Sequence, residues 1–213
     1  MKIIFERTAV KLTFISVMLL VTPLLYCRES SLKITIADPA TFKKGCTVFI
    51  GDSNVMMTSW QDYFGVNVCN LGLGGATTDY VLMKSDMVKA LAPSRIVILV
   101  GGNDLLRLRS VPEVAAKYRA IIARYRNISS NIFFVSNLPI RKKLIIKNWM
   151  IIWLNIELEK ICKETGVRFV NVYHLLYRDG QLDRNFAFDE IHINRDGQKI
   201  VADELGRHFN SSK

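Results

Sequence analysis

Apolar residues recur along the chain in short runs rich in Val, Ile and Phe, at residues 46–50, 66–71, 95–100, 131–136 and 167–172. Each run is shorter than an ordinary helix and nearly continuous, which predicts strands buried on both faces. Elsewhere the apolar positions change to a spacing of three and four, predicting helices over residues 78–90, 111–128, 148–164 and 195–209. Pro112 suits a first helical turn, Gly166 a helix end and Asn194 an N-cap. Strands alternating with helices pair in parallel through crossovers. The expected fold is therefore α/β, a three-layer α/β/α sandwich around a mainly parallel sheet of about five strands. Ligands of such sheets lie beyond the carboxyl ends of the strands, so the loops that follow strands are where chemistry is expected.

Residues 12–26 depart from this alternation. They form an apolar run, interrupted by Ser, Thr and Pro23, that follows Lys2, Arg7 and Lys11. Basic residues before a short apolar segment predict export through a signal peptide or signal anchor over residues 1–27. A short linker (28–44) and one globular domain (45–213) complete the expected organisation, with the domain outside the cytoplasm, either secreted, periplasmic or attached to a membrane through its N-terminus. Cys27 closes the run where bacterial lipoproteins carry an acylated cysteine, but bulky Tyr26 stands where a small residue is usual. Lipidation of Cys27 and an ordinary hydrophobic cysteine both remain open.

The formal charge of +10 changes the picture little, because Lys2, Arg7, Lys11 and Arg28 against Glu6 supply +3 of it and leave +7 on the rest. A basic balance speaks to solubility and non-specific association. The chain has no zinc-finger or RNA-binding signature, so nucleic acid is not an expected partner. The cysteines at 27, 46, 69 and 162 lack metal-site spacing. Cys46 and Cys69 fall in neighbouring expected strands and are open to a disulfide, but are read in preference as two small buried hydrophobes.

Candidate chemistry gathers at the strand ends. The first strand runs into Gly51-Asp52-Ser53, placing a serine on a tight strand-to-helix turn. The second runs into Gly72-Leu73-Gly74-Gly75, a glycine loop that lacks the Lys and Ser/Thr of a phosphate-binding P-loop. The third ends in Gly101-Gly102-Asn103-Asp104, offering a neutral amide donor at the same edge. Near the C-terminus, Asp189-Glu190-Ile191-His192 precedes the last helix. Three residues of separation let the carboxylate reach the imidazole and fix its tautomer.

Taken in order, these blocks resemble the GDSL, or SGNH, esterases and lipases. The resemblance covers residues 45–209 and implies a flavodoxin-like sheet. It further implies a serine esterase with Ser53 as nucleophile, Asp189 and His192 completing the triad, and an oxyanion hole from Ser53, Gly75 and Asn103. Substrates implied are a short acyl ester, an acetylated carbohydrate or a lysophospholipid, with no cofactor and no metal. An O-acyltransferase on the same fold and a non-catalytic binding module are the alternatives. Asn54 departs from the family's usual Leu after the serine, and Gly102 from its common Thr.

One segment is ambiguous. Residues 138–147 carry Arg141, Lys142, Lys143 and Lys147 and lead to Trp149 and Trp153. They are read as a solvated basic loop entering a helix whose Trp, Ile and Leu residues belong to the core. The alternative is a substrate entrance or a membrane-facing edge recognising an anionic lipid or sugar.

Overall fold

A computed structural model describes residues 42–141 and 146–210. Its central sheet contains β1 (Thr47–Gly51), β2 (Val68–Gly72), β3 (Arg95–Leu99), β4 (Ile132–Val135) and β5 (Arg168–Val170), in the order β2-β1-β3-β4-β5. All neighbours pair in parallel. This is the flavodoxin-like order, in which the winding reverses between β1 and β3.

The continuous apolar runs resolve into two faces because successive strand residues point oppositely. Val48, Ile50, Ile96, Ile98, Ile132 and Phe134 face one layer. That layer contains α3 (Thr78–Met83), α4 (Ser85–Ala90), α6 (Val111–Tyr125) and α7 (Asn148–Thr165), which contribute Val81, Val88, Tyr118, Ile122, Leu154 and Leu158. Phe49, Val97, Leu99, Phe133 and Val135 face the other layer, against Val55, Trp60, Leu176, Val201 and Leu205. These residues come from or border α1 (Ser53–Met57), α2 (Gln61–Phe64), α8 (Tyr173–Leu176) and α9 (Arg195–Asn210). Each fully buried Val, Leu, Ile or Phe contributes about 1.5–3 kcal/mol against chain entropy. A short helix, α5 (Gly102–Leu106), follows β3 and precedes α6 in the chain.

The expected helix over 78–90 is divided at Lys84, yet Lys84 N–H still bonds the carbonyls of Tyr80 and Val81. Ser110 and Glu113 form a capping box around Pro112 at the start of α6. Gly166 ends α7 in the left-handed region. A small hairpin, β6 (Tyr177–Arg178) and β7 (Gln181–Leu182), leads toward the last loop.

Two expectations are corrected. Cys46 and Cys69 are joined as a disulfide, with Cα atoms 6.0 Å apart, rather than packed as free thiols. The register pairs Thr47 with Val68, so Cys46 lies just before β1 and diagonally beside Cys69 on the same face. Trp149 and Trp153 are not core residues: they are 60% and 43% exposed, and Ile152 and Ile156 lie on the same outer stripe. The first half of α7, residues 149–156, is apolar nearly all round, so spacing alone does not identify the face that turns inward there. Its buried face is Ile151, Leu154, Leu158 and Ile161.

The expected leader, Cys27 and residues 28–41 of the linker lie outside the described residues. Among the described residues, no helix is long and apolar enough to cross a membrane.

Candidate active site

The reversal between β1 and β3 opens a cleft at the carboxyl edge of the sheet, where β1 delivers Ser53. The turn is tight: a Cβ at Gly51 would overlap the Leu99 carbonyl of β3, and one at Gly72 would overlap the backbone of Met56. Asp52 Oδ1 accepts the Asn54 N–H at 3.0 Å, capping α1 and fixing the backbone on either side of Ser53.

His192 arrives on a loop closed by an antiparallel bridge between Ala187 and Ile193 and by the Phe188 N–H on the His192 carbonyl, 2.8 Å. Asn194 then caps α9 by accepting the Gly197 N–H at 3.0 Å. Within this loop Asp189 Oδ1 accepts the backbone N–H groups of Ile191 and His192, each at 2.8 Å. Asp189 Oδ2 lies 2.6 Å from His192 Nδ1, and His192 Nε2 lies 2.8 Å from Ser53 Oγ. Burial would raise the Asp189 carboxyl, but the His192 and backbone donors outweigh it and hold the group below its usual range. An ionised Asp189 keeps the proton on Nδ1 and leaves the Nε2 lone pair facing the serine hydroxyl.

Of the other expected donors, Asn103 lines the cleft, and Gly75 lies on the adjoining glycine loop. Gly75 adopts φ +72°, and its carbonyl accepts Arg107 Nη2 at 3.0 Å. Asn103 Nδ2 donates to the Ala76 carbonyl at 3.0 Å, which orients the amide while its second hydrogen remains available. Behind them Asp104, completely buried, accepts the backbone N–H and hydroxyl of Thr78 at 2.9 and 2.7 Å and Arg109 Nη1 at 2.8 Å. These bonds tie the glycine loop to α5.

Ser53, Asp189 and His192 are thus brought into one hydrogen-bonded chain, and Asn103 borders the same cleft. The cleft holds a cavity of about 40 Å³ beside Ser53 and Asn103, walled by Leu99, Leu106, Leu138 and Ile140. The start of the ambiguous basic segment therefore supplies apolar wall, and Arg141 N–H binds the Glu190 carbonyl at 2.9 Å. Among the described residues, no cluster of His, Cys, Asp or Glu is arranged to hold a metal ion.

Sequence reasoning missed the supporting contacts. Asn54 was visible only as a departure from the family pattern, yet its side chain reaches the backbone beside His192 at two points, 3.1 and 3.3 Å. Asp52 is buried, and that burial pushes its carboxyl up to about 6 despite the Asn54 N–H and the nearby His192. The polar identity of Asp52 in an apolar strand end was the available signal.

Several solved structures share this fold. A Streptococcus pneumonia protein provisionally described as a platelet activating factor is 25% identical, with a TM-score of 0.69, covering 79% of this chain and 85% of that one. A GDSL-like lipase from Bacteroides thetaiotaomicron is 19% identical at a TM-score of 0.68, covering 79% and 89%. An acetylxylan esterase from Geobacillus stearothermophilus is 19% identical at a TM-score of 0.64, covering 78% and 94%. No curated protein matches the chain in sequence. The family model of GDSL-like lipases and acylhydrolases matches residues 45–200, which include every motif described above except the end of α9. The chain belongs to the GDSL-like lipase/acylhydrolase family and is a carboxylic ester hydrolase.

Proposed function

We propose that the protein cleaves esters of short acyl groups, of about acetyl size, through an acyl-serine intermediate. The observation that carries this reading is the continuous chain from Asp189 through His192 to Ser53, with contacts of 2.6 and 2.8 Å. His192 Nε2 takes the Ser53 proton as Oγ attacks the ester carbonyl, and Asp189 stabilises the imidazolium that forms. The backbone N–H groups of Ser53 and Gly75 and the second Asn103 amide hydrogen meet the negative oxygen; one such donor is typically worth about 100- to 1000-fold in turnover. The imidazolium returns its proton to the leaving alcohol. Water, deprotonated by the same imidazole, then releases the acid and restores Ser53.

The acyl-size reading rests on the cavity of about 40 Å³. A water-sized group needs about 10–15 Å³ by this measure, so the space beside Ser53 suits roughly three such groups, about the size of an acetyl. The acetylxylan esterase is a neighbour acting on an acetyl ester; the leaving group here is taken as the alcohol of an acetylated sugar or of a lipid. Export is proposed from the basic and apolar N-terminus, and the Cys46–Cys69 disulfide supports an oxidising compartment. Retention of the apolar segment would hold the domain at a membrane.

The test is a chain-length series of aryl esters with wild type and Ser53→Ala. Activity is expected to fall at least tenfold from acetyl to octanoyl, and Ser53→Ala to lower acetyl ester turnover by about 1000-fold or more. Full activity in the Ser53 variant overturns the serine mechanism. A preference for octanoyl overturns only the acyl size.

A further inference from the structure

Ser53 and His192 come from opposite ends of the domain, and the 2.8 Å contact between them depends on how the β1–α1 turn meets the loop before α9. Asn54 joins those two segments. Its Oδ1 accepts the Ile193 N–H at 3.1 Å, and its Nδ2 donates to the Ile191 carbonyl at 3.3 Å. The two backbone groups flank His192. A planar amide offers a donor and an acceptor side by side, which matches the carbonyl and N–H that the loop presents.

Asn54 is itself fixed. Its N–H bonds Asp52 Oδ1 at 3.0 Å, and its carbonyl accepts the Thr58 hydroxyl at 2.7 Å. It is also the residue directly after Ser53, so any shift of the His192 loop against Asn54 is a shift of imidazole against nucleophile. By contrast, the Asp189–His192 contacts lie within one loop and do not depend on Asn54.

We propose that Asn54 is a positioning residue that sets the register between the Ser53 turn and the His192 loop and so holds the imidazole on the serine hydroxyl. The proposal rests on the serine mechanism above. Misplacing a reacting group by about 1 Å typically costs on the order of 100-fold in rate without weakening ground-state binding.

The experiment uses Asn54→Leu, of similar size but without polar atoms, and Asn54→Asp, isosteric but without the donor to Ile191. Each is measured for kcat and KM on an aryl acetate, for the rate of Ser53 labelling by a fluorophosphonate, and for the downfield His192 Nδ1 proton by NMR. Both variants are expected to lose about 10- to 100-fold in kcat and in labelling rate, with KM within twofold and the Nδ1 proton retained. Wild-type kcat in either folded variant overturns the proposal. Loss of the Nδ1 proton also overturns it, because the side chain would then be supporting the loop's own structure. Ser53→Ala assayed alongside separates the readings: if it stays active, the serine mechanism fails; if it is inactive while Asn54→Leu is fully active, only the role of Asn54 fails.

Discussion

Asp52 and Asp189 are pushed in opposite directions by their surroundings. Asp189 sits among donors that favour its charged form, whereas burial of Asp52 raises its carboxyl from 3.8 to about 6. Folding is linked to these shifts with opposite signs. Between pH 3.8 and about 6 folded Asp52 keeps a proton that the unfolded chain has released, so its contribution to stability falls as the pH rises. A shift of this size corresponds to on the order of 3 kcal/mol. The contribution of Asp189 is present above the ordinary carboxylate range and is lost as the pH falls below it. Asp52→Asn removes the first dependence and keeps the second. In urea unfolding at pH 4 and pH 7, the stability of the variant relative to wild type is expected to improve by on the order of 2 kcal/mol at the higher pH, since the unfolded carboxyl is already half ionised at pH 4. Any constant cost of the new amide cancels in this comparison, and parallel pH profiles would show that Asp52 ionises at no cost.

α7 shows how an element can be foreseen while its orientation is not. The spacing of apolar residues predicts a helix over 148–164, and the helix runs Asn148–Thr165. Trp149, Ile152, Trp153 and Ile156 nevertheless form an outer stripe, exposed between 37% and 60%. Residues so exposed lose little on truncation, typically within 0.5 kcal/mol each. The double variant Trp149→Ser, Trp153→Ser is therefore expected to unfold in urea within about 1 kcal/mol of wild type, whereas two buried tryptophans would cost several times more. The five strands, too, were legible within two residues at either end, because continuous β-branched runs specify burial on both faces. Short elements such as α1, α2, α5 and α8 were not, since four or five residues carry no periodicity. At the site, Ser53, Asp189, His192 and Asn103 were legible because each stands in a short block at a strand or helix end. The role of Asn54 was not, because its partners are backbone groups 137 and 139 residues away.

For the whole molecule, the strand order explains why the early serine, the glycine loop and Asn103 gather at one edge of the sheet. β1 lies between β2 and β3, so the loops carrying Ser53, Gly75 and Asn103 emerge side by side at the winding reversal. The Cys46–Cys69 bridge lies before β1 and within β2, on the core side of the sheet. It encloses a sequence separation of 23 residues, a segment that includes the Ser53 turn and α1. Closing a loop of that length removes about 3.4 kcal/mol of unfolded-chain entropy in the loop-closure treatment. The pair Cys46→Ala, Cys69→Ala also removes buried side-chain contacts, since each cysteine is only 1% exposed. Reduction alone leaves the sulfur atoms in place and isolates the bridge more cleanly. Under reducing conditions the midpoint of thermal unfolding is expected to drop by about 7–14 °C, taking about 2–4 °C per kcal/mol for a domain of this size. Turnover at a temperature well below both midpoints is expected to persist, because the contacts from Ser53 to His192 and from His192 to Asp189 do not involve either cysteine. Thermal unfolding and acetyl ester turnover measured on the same oxidised and reduced samples test both statements. An unchanged midpoint would mean that the bridge contributes nothing to stability, and a proportionate loss of turnover would mean that it positions the serine turn directly.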